Sequence, residues 1–216
     1  MEETPFSQLT FDDRALTKTE VDCLEKLKDW IEKDEKLSKF PKLFHNVDIL
    51  RFAIARKFDF QQTSTMIKEN VLWRESLKLD SMKLENIVPV RGYQSVPDNN
   101  AMHNQHGQLL SKSVGASIHK FSKDGQPVVY LHAGWVDCGS FSKTFSTEAV
   151  KEIGTEFVEF ATRVLIPEGL QRPNANKHNT TVIIVMDLSN LGLRQFDMPT
   201  LMSLKAFFEI VLKNYP

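Results

Sequence analysis

The sequence has few cysteines, no excess of one charge and no long apolar run. Its 216 residues include 2 cysteines, and 27 Lys plus Arg oppose 28 Asp plus Glu, which gives a net charge of −1. Cys23 and Cys138 lie far apart, as is typical of free thiols in a reducing compartment. The balanced charge argues against a nucleic-acid partner, which needs a basic excess. No apolar stretch approaches the roughly 20 residues of a membrane span.

Motifs for catalysis and cofactors are also absent. Neither phosphate-binding loop, G-x-G-x-x-G or G-x-x-x-x-G-K-[ST], occurs, and there is no G-x-S-x-G elbow. His103 and His106 are three residues apart, but no paired cysteines or carboxylates complete the four ligands of a structural metal site. We therefore expect no enzyme activity, no cofactor and no metal. The acidic first residues do not form a signal peptide, so we expect a cytoplasmic protein.

The composition of the chain changes along its length and predicts four segments. Residues 1–16 are predicted to be a flexible N-terminus, and residues 17–80 a helical domain rich in Lys and Glu. Residues 81–113 are polar and contain prolines, which favours a linker or an exposed loop. Residues 114–216 alternate strand-like and helix-like stretches and form the second predicted domain.

Three amphipathic helices are predicted in the first domain. The first begins at Thr17, which fits a capping box with Glu20. The second covers about residues 47–57, and the third begins after Asp59, a residue suited to an N-cap. Short amphipathic helices are marginal alone, so we expect them to pack against one another.

The second domain has the order of elements of an α/β fold. The Asp124-Gly125 pair predicts a turn between two strands. The run Thr181–Asp187 is β-branched and apolar on both faces, which suits a buried strand in the middle of a parallel sheet. We therefore predict a helical N-terminal tripod followed by a partial, mostly parallel sheet flanked by helices. The predicted strands are 117–121, 127–133 and 181–187, and the predicted helices are 146–166 and 200–213.

Five further polar residues are site candidates from the sequence alone. His132 is most simply a packed or hydrogen-bonded histidine. Asp187 ends a strand at the edge where α/β proteins place ligands, but a residue that caps a loop is the simpler interpretation. Arg51, Arg56 and Lys57 share one short helix and suit either an anion or solvent.

Ordered motifs in both domains match those of one known family. D-I-L-R-F-A-I-A-R-K-F-D at 48–59 is similar to L-L-R-F-L-R-A-R-K-F-D, and V-L-W-R at 71–74 is similar to the L-W-R that follows it. D-G-Q-P-V-V-Y at 124–130 is similar to D-G-R-P-V-x-Y, with Gln in place of Arg. V-M-D-L-S-N-L at 185–191 is similar to I-x-D-x-x-G-x, with Asn in place of Gly. The sequence printed here ends on N-Y-P, part of the family's N-Y-P-E.

Together these motifs resemble the CRAL-TRIO family, and within it the fungal phosphatidylinositol transfer proteins of the secretory-pathway type. The resemblance implies a protein that binds phosphatidylinositol or another hydrophobic lipid and carries it between membranes. It also implies transient peripheral contact with intracellular membranes. Two alternatives stay open: a carrier of a sterol- or terpenoid-like hydrophobe, and an interaction or membrane-docking module without cargo. The oligomeric state is not predicted.

The resemblance assigns six residues to the lipid site. Arg56 falls on the family's arginine that meets the inositol phosphate, and a guanidinium fork is suited to phosphate. Phosphatidylcholine carriers of the family surround the choline with three tyrosines, a serine and a threonine. All five of these positions are aliphatic here, which argues against phosphatidylcholine and leaves room for a neutral hydrophobe. They are Ile118, Val129, Val164, Val182 and Ile184.

The resemblance and the topology both predict that these residues are a C-terminally truncated lipid-binding domain. A helix that follows a parallel strand is expected to return to another strand, but the sequence stops at Pro216. Without that strand, residues 181–187 would form an apolar sheet edge. The family continues beyond N-Y-P with further strands, a mobile gate helix and a lysine near the headgroup. We therefore expect this chain alone to transfer little lipid.

Overall fold

The structure is a computed structural model, and it describes residues 3–12, 14–39, 45–82, 116–136, 138–176 and 181–215. The chain separates into two compact units. The first contains Met1–Met82 and Lys213–Pro216, and the second contains Lys83–Leu212. The first unit is built from helices and a short hairpin, and the second combines helices with a sheet. The α/β fold class predicted from the sequence is confirmed.

Three helices form the core of the first unit: α1 (Lys18–Lys33), α2 (Asn46–Ala55) and α3 (Phe60–Leu77). Their inward faces merge into one apolar cluster, as the amphipathic patterns predict. Both cysteines of the chain are free and buried, and Cys23 belongs to this cluster. Its other helical members are Leu24, Leu27, Ile31, Ile49, Leu50, Phe52, Ala53, Met66, Ile67 and Val71.

Described residues before α1 pack against the helical core, although the sequence predicted a flexible N-terminus over residues 1–16. Phe6 and Leu9 are only 6% and 1% exposed and belong to the helical core. Glu3 accepts a hydrogen bond from the backbone N–H of Asn46, the first residue of α2, at 2.7 Å. Burial of a large apolar side chain contributes about 1.5–3 kcal/mol, which offsets the entropy lost when the segment becomes ordered.

The N-terminus of α1 is fixed by the predicted capping box. The Glu20 backbone N–H donates to Thr17 Oγ1 at 3.3 Å, and the Thr17 N–H donates to the Glu20 carboxylate at 2.7 Å. A hairpin of β1 (Thr10–Phe11) and β2 (Arg14–Ala15) precedes the helix. From this hairpin the Arg14 guanidinium donates two further hydrogen bonds to Glu20, at 2.7 and 2.8 Å.

The pKa of Glu20 should depend on the hydrogen bonds of this cap. The hydrogen bond from Arg14, followed by that from the Thr17 backbone, lowers the pKa of Glu20 from 4.5 to about 2. Because the folded-state pKa is lowered, ionised Glu20 favours the folded state above pH 4.5, and this contribution is lost as the pH falls through 2. NMR titration of the Glu20 carboxyl should find a midpoint near 2. Arg14→Gln should raise that midpoint, and an unchanged midpoint would show that Arg14 does not hold the carboxylate.

The second unit is built on a mixed sheet of three described strands. β3 (Ala116–Phe121) pairs antiparallel with β4 (Pro127–His132), and β4 pairs parallel with β5 (Ile183–Asp187). The predicted turn joins β3 to β4, and Gly125 there has a φ of 85°, which glycine adopts without strain. The described sheet therefore contains one antiparallel and one parallel pair, and not the mostly parallel arrangement expected from the order of elements.

The connection from β4 to β5 is helical and includes a π-helical stretch. Ser146 caps its main helix by accepting a hydrogen bond from the backbone N–H of Ala149 at 3.1 Å. This helix passes directly into the five-residue π-helix, which we call the π-segment, and then into a short α-helix. The sequence predicted one continuous helix here. The elements are α4 (Cys138–Thr144), α5 (Thr147–Phe160), the π-segment (Ala161–Leu165), α6 (Ile166–Leu170) and, after β5, α7 (Met198–Asn214).

β5 lies at the edge of the described sheet, as expected for residues 181–187 where no further strand pairs with them, and not in the middle of a sheet, as its composition suggested. β5 is the outer strand of the described sheet, and among the described residues no strand pairs with its other edge. Ile184, Val185 and Met186 are 56%, 37% and 53% exposed. Apolar composition makes a strand fit for burial, but only its neighbours on both sides can bury it.

Candidate functional site

One face of the sheet presents a continuous apolar surface. Ile118 lies opposite Val129, and Val129 lies opposite Ile184, so these side chains form one row across the three strands. Leu131 and Met186 lie opposite each other in the next row. We call the surface formed by Ile118, Val129, Leu131, Ile184 and Met186 the sheet floor. It carries no hydroxyl, amide or charge.

The end of α5 and the π-segment cover the floor over β3 and β4. Ile118 and Val129 are each 3% exposed and share a buried cluster with Phe160, Ala161 and Leu165. Val164 and Val182 pack against the same cluster. The structure therefore brings together four of the five pocket residues predicted from the resemblance, namely Ile118, Val129, Val164 and Val182.

Ile184, the fifth predicted pocket residue, lies in the open part of the floor. It shares a row with Val129 but is 56% exposed, because the helical cover reaches β4 and not β5. Met186 beside it is exposed as well. The floor thus has a closed part and an open part that form one apolar strip. The open part, at Ile184 and Met186, can accept an apolar molecule without leaving a polar group unpaired.

Arg56 lies in the first unit, in the turn between α2 and α3. Its Nη1 donates a hydrogen bond to the carbonyl oxygen of Ala55 at 3.0 Å. Within the described ranges no carboxylate lies at ion-pairing distance from this guanidinium. Arg51, by contrast, pairs with Asp48 at 2.9 Å. Of these two arginines, Arg56 is therefore the better candidate for an anion from outside the chain.

The turn that carries Arg56 has an unusual and well-supported backbone. Lys57 and Phe58 have φ values of 52° and 59°, which cost residues other than glycine about 1 kcal/mol or more each. The N–H of Phe58 donates to the carbonyl oxygen of Ala53 at 2.7 Å. Asp59 caps α3, as predicted, by accepting from the N–H of Gln62 at 2.8 Å. These contacts fix the direction in which the chain leaves Arg56.

His132 and Asp187 end neighbouring parallel strands and lie side by side. Asp187 Oδ1 accepts from the backbone N–H of Ser189 at 2.8 Å, and Oδ2 lies 3.2 Å from His132 Nδ1. The hydrogen bonds from Ser189, and then that from His132, lower the pKa of Asp187. Both simpler interpretations are confirmed, because Asp187 caps its loop and His132 is a buried, hydrogen-bonded histidine.

Two features near the floor were missed by the sequence reasoning. Glu159 is completely buried, and Arg163 Nη1 lies 3.6 Å from its carboxylate. Their spacing of four residues is a recognisable signal for an ion pair on a helix. The π-segment that contains Arg163 has no such signal, although π-helical turns are frequent at functional sites.

Some expectations concern residues beyond those the structure describes. His103 and His106 lie outside the described residues, as does almost all of the linker predicted over 81–113. Within the described ranges, no group of three His, Cys, Asp or Glu side chains could hold a metal ion. No helix in these ranges is long and apolar enough to cross a bilayer.

Residues 111–216 match the family model of the CRAL/TRIO domain. The resemblance to the CRAL-TRIO family is therefore confirmed for this part of the chain, and the likeness to the fungal phosphatidylinositol transfer proteins of the secretory-pathway type stays a prediction. The fold is also similar to that in the crystal structure of Sfh5, with a TM-score of 0.51 and 15% identity over 96% of this chain and 69% of that chain. That likeness supports the fold.

The curated proteins that the chain resembles include relatives from insects and a nematode. The chain is 24% identical to Protein real-time of Drosophila pseudoobscura pseudoobscura over 198 residues, which are 85% of this chain and 26% of the relative. It is 24% identical to Protein real-time of Aedes aegypti over 168 residues, 78% of this chain and 23% of the relative. A CRAL-TRIO domain-containing protein of Caenorhabditis elegans is 27% identical over 180 residues, 81% of this chain and 21% of the relative. The chain thus spans about a quarter of the length of these relatives.

Proposed function

We propose that this chain binds a lipid, with phosphatidylinositol as a ligand, and contributes to the movement of that lipid between membranes. The observation that carries this proposal is the sheet floor, an apolar strip that is closed over Ile118 and Val129 and open over Ile184. A lipid leaves a bilayer only if another apolar medium receives its chains, and each CH₂ group transferred is worth about 0.8 kcal/mol. The match of residues 111–216 to the CRAL/TRIO domain supports the same class of protein.

Arg56 supports phosphatidylinositol as the ligand. Its guanidinium has one hydrogen bond to a carbonyl oxygen and no carboxylate partner among the described residues. It therefore keeps its charge and most of its five donors for an oxyanion. The strained turn at Lys57 and Phe58 is consistent with a functional position, since such strain tends to occur at ligand sites.

Arg56→Ala should weaken binding to phosphatidylinositol vesicles at least tenfold, because a hydrogen bond to a charged group contributes about 1.5–3 kcal/mol. The melting temperature should stay nearly unchanged, since the only described hydrogen bond of this side chain is to the neighbouring carbonyl. Lys26→Ala, which removes an equal charge from an exposed position of α1, is the matched control and should bind normally. Undiminished binding by Arg56→Ala, or unfolding of this variant, would show that Arg56 is structural.

A sterol- or terpenoid-like hydrophobe is the second candidate ligand. It is favoured by the absence of hydroxyls at all five headgroup positions, of which Val129 and Val182 are examples. Mass spectrometry of lipids extracted from the purified protein separates the candidates. Phosphatidylinositol supports the first proposal, and a neutral hydrophobe supports the second. A folded protein without any lipid would support an interaction module instead.

A further inference from the structure

Two loops at the carboxyl edge of the sheet expose large apolar side chains. Because β4 and β5 are parallel, the loops that follow them leave the sheet at the same edge. The loops touch, since a β-carbon added to Gly134 would clash with the carbonyl oxygen of Ser189. We call their exposed apolar surface the edge patch. Its members are Trp135, Leu188, Leu191, Leu193, Phe196 and Met198, which are 60%, 56%, 40%, 91%, 58% and 66% exposed.

Polar contacts hold these loops in their exposed form. Gln195 is only 8% exposed, and its Oε1 accepts from the Gly192 N–H at 2.8 Å while its Nε2 donates to the Gly134 carbonyl oxygen at 3.4 Å. The Cys138 thiol donates to the Gln195 carbonyl oxygen at 3.4 Å. A loop supported in this way cannot fold its apolar tips inward. A large apolar surface that hydrogen-bonded loops keep exposed marks a site of interaction.

Trp135 is fixed at the border of the edge patch. Its ring stacks on the buried His132, with centroids 4.3 Å apart and planes 16° apart, and His132 is hydrogen-bonded to Asp187. An indole ring combines an apolar body with a polar N–H, and it prefers the boundary between hydrocarbon and water. A rigidly held, exposed indole beside leucine and phenylalanine tips therefore suits a lipid interface.

The polar groups of the two loops favour a bilayer over a protein partner. Asp187 caps its own loop, and Asp197 accepts from the N–H and the hydroxyl of Thr200 at 3.1 and 2.9 Å. Protein interfaces usually form one hydrogen bond for every 100–200 Å² or so, which requires free donors and acceptors. Here the described carboxylates and the Gln195 amide are engaged within the fold, and among the described exposed side chains of the loop after β5 the apolar ones outnumber the polar Ser189 and Asn190.

We propose that the edge patch inserts into the interface of a lipid bilayer and opens the sheet floor to it. The open part of the floor, at Ile184 and Met186, lies on β5, and the loop that follows this strand begins with Leu188 of the patch. An apolar chain can therefore pass from the bilayer to the floor without crossing water. This inference rests on the proposed lipid-binding function for its purpose, but insertion can be measured separately.

The experiment uses the whole chain and neutral phosphatidylcholine vesicles, so that Arg56 contributes no attraction to an anionic lipid. Vesicles with brominated acyl chains should quench the fluorescence of Trp135, and Trp135→Phe should remove most of the quenching. Leu193→Glu should reduce vesicle binding at least tenfold. Leu72→Glu is the matched control, because Leu72 is 56% exposed on α3 and lies outside the patch, and it should bind like the unaltered chain.

The outcomes separate this inference from the proposed function. Lipid recovered from the purified protein, together with no quenching of Trp135, overturns the insertion and leaves lipid binding intact. Quenching without any recovered lipid supports insertion and argues against a carrier. If sedimentation shows a dimer that Leu193→Glu converts to a monomer, and vesicles do not quench Trp135, the patch binds a second copy of the chain and the inference is wrong.

Discussion

Gly169→Ala should lower the free energy of unfolding by about 2 kcal/mol or more, since overpacking of a closed contact usually costs 1–3 kcal/mol. A β-carbon at Gly169 would clash with the carbonyl oxygen of Gly125 and lie 3.1 Å from its carbonyl carbon. Both obstacles are backbone atoms, so no flexible side chain can move aside. Gly125→Ala should be at least as harmful, because its β-carbon would lie 2.6 Å from the Gly169 oxygen and its φ of 85° adds strain.

Gly192→Ala is the matched control for this contact. The nearest atom to its added β-carbon is Gln195 Oε1 at 3.6 Å, and its φ of −144° suits any residue. Its stability should stay within about 0.5 kcal/mol of that of the unaltered chain. Urea unfolding followed by circular dichroism measures all three variants. Equal losses for Gly169→Ala and Gly192→Ala would show that the close approach does not matter.

The contact between Gly125 and Gly169 also matters for the sheet floor. It seats the β3–β4 turn on α6, the helix that continues the π-segment. The π-segment in turn covers Ile118 and Val129. Separation of the turn from α6 should therefore loosen the cover of the floor, and Gly169→Ala should increase the binding of a dye specific for exposed apolar surface.

Local signals in the sequence predicted local structure well. The capping box of Thr17 and Glu20, the Asp59 cap and the Asp124-Gly125 turn are all confirmed. Each of these depends on hydrogen bonds or backbone preferences within a few residues, so the sequence alone contains the information. The amphipathic stripes of the three N-terminal helices are confirmed for the same reason.

Predictions that depended on distant residues were less successful. Residues 1–16 are short of regular patterning, yet Phe6 and Leu9 find partners in the helical core. β5 is apolar on both faces, yet Ile184 and Met186 remain exposed because the cover from α5 ends at β4. Burial is a property of the assembled fold, and hydrophobic pattern reports only the capacity for it.

The candidate site shows the same difference between features set by local sequence and features set by distant residues. Alternation and register suffice to place Ile118, Val129 and Ile184 on one face of a sheet. The π-segment that covers two of them has no sequence signature. Similarly, Arg56 could be selected from its motif, but the left-handed backbone at Lys57 that positions it is disfavoured for lysine and therefore unpredictable.

Phosphatidylcholine should be transferred at least tenfold more slowly than phosphatidylinositol. Val129 and Val182 lie in or against the buried cluster and offer no hydrogen bond to a phosphocholine headgroup. Each buried polar group left unpaired costs about 1–3 kcal/mol, and about 1.4 kcal/mol corresponds to a factor of ten. Transfer of each labelled lipid between vesicles, measured at equal protein concentration, gives the ratio. Equal rates for the two lipids would contradict this account of the floor.

Hydroxyl groups introduced on or beside the sheet floor should raise the rate of phosphatidylcholine transfer relative to that of phosphatidylinositol transfer. Ile184→Thr is the best first variant, because Ile184 is already 56% exposed and the change should leave stability nearly intact. Val182→Ser adds a second hydroxyl beside the buried cluster, at some cost in packing. Val185→Thr is the matched control, because alternation places it on the opposite face of the same strand. A gain in Ile184→Thr with no gain in Val185→Thr is the expected result, since only the first hydroxyl faces the proposed ligand, and an equal gain in both would mean that the floor does not select the headgroup.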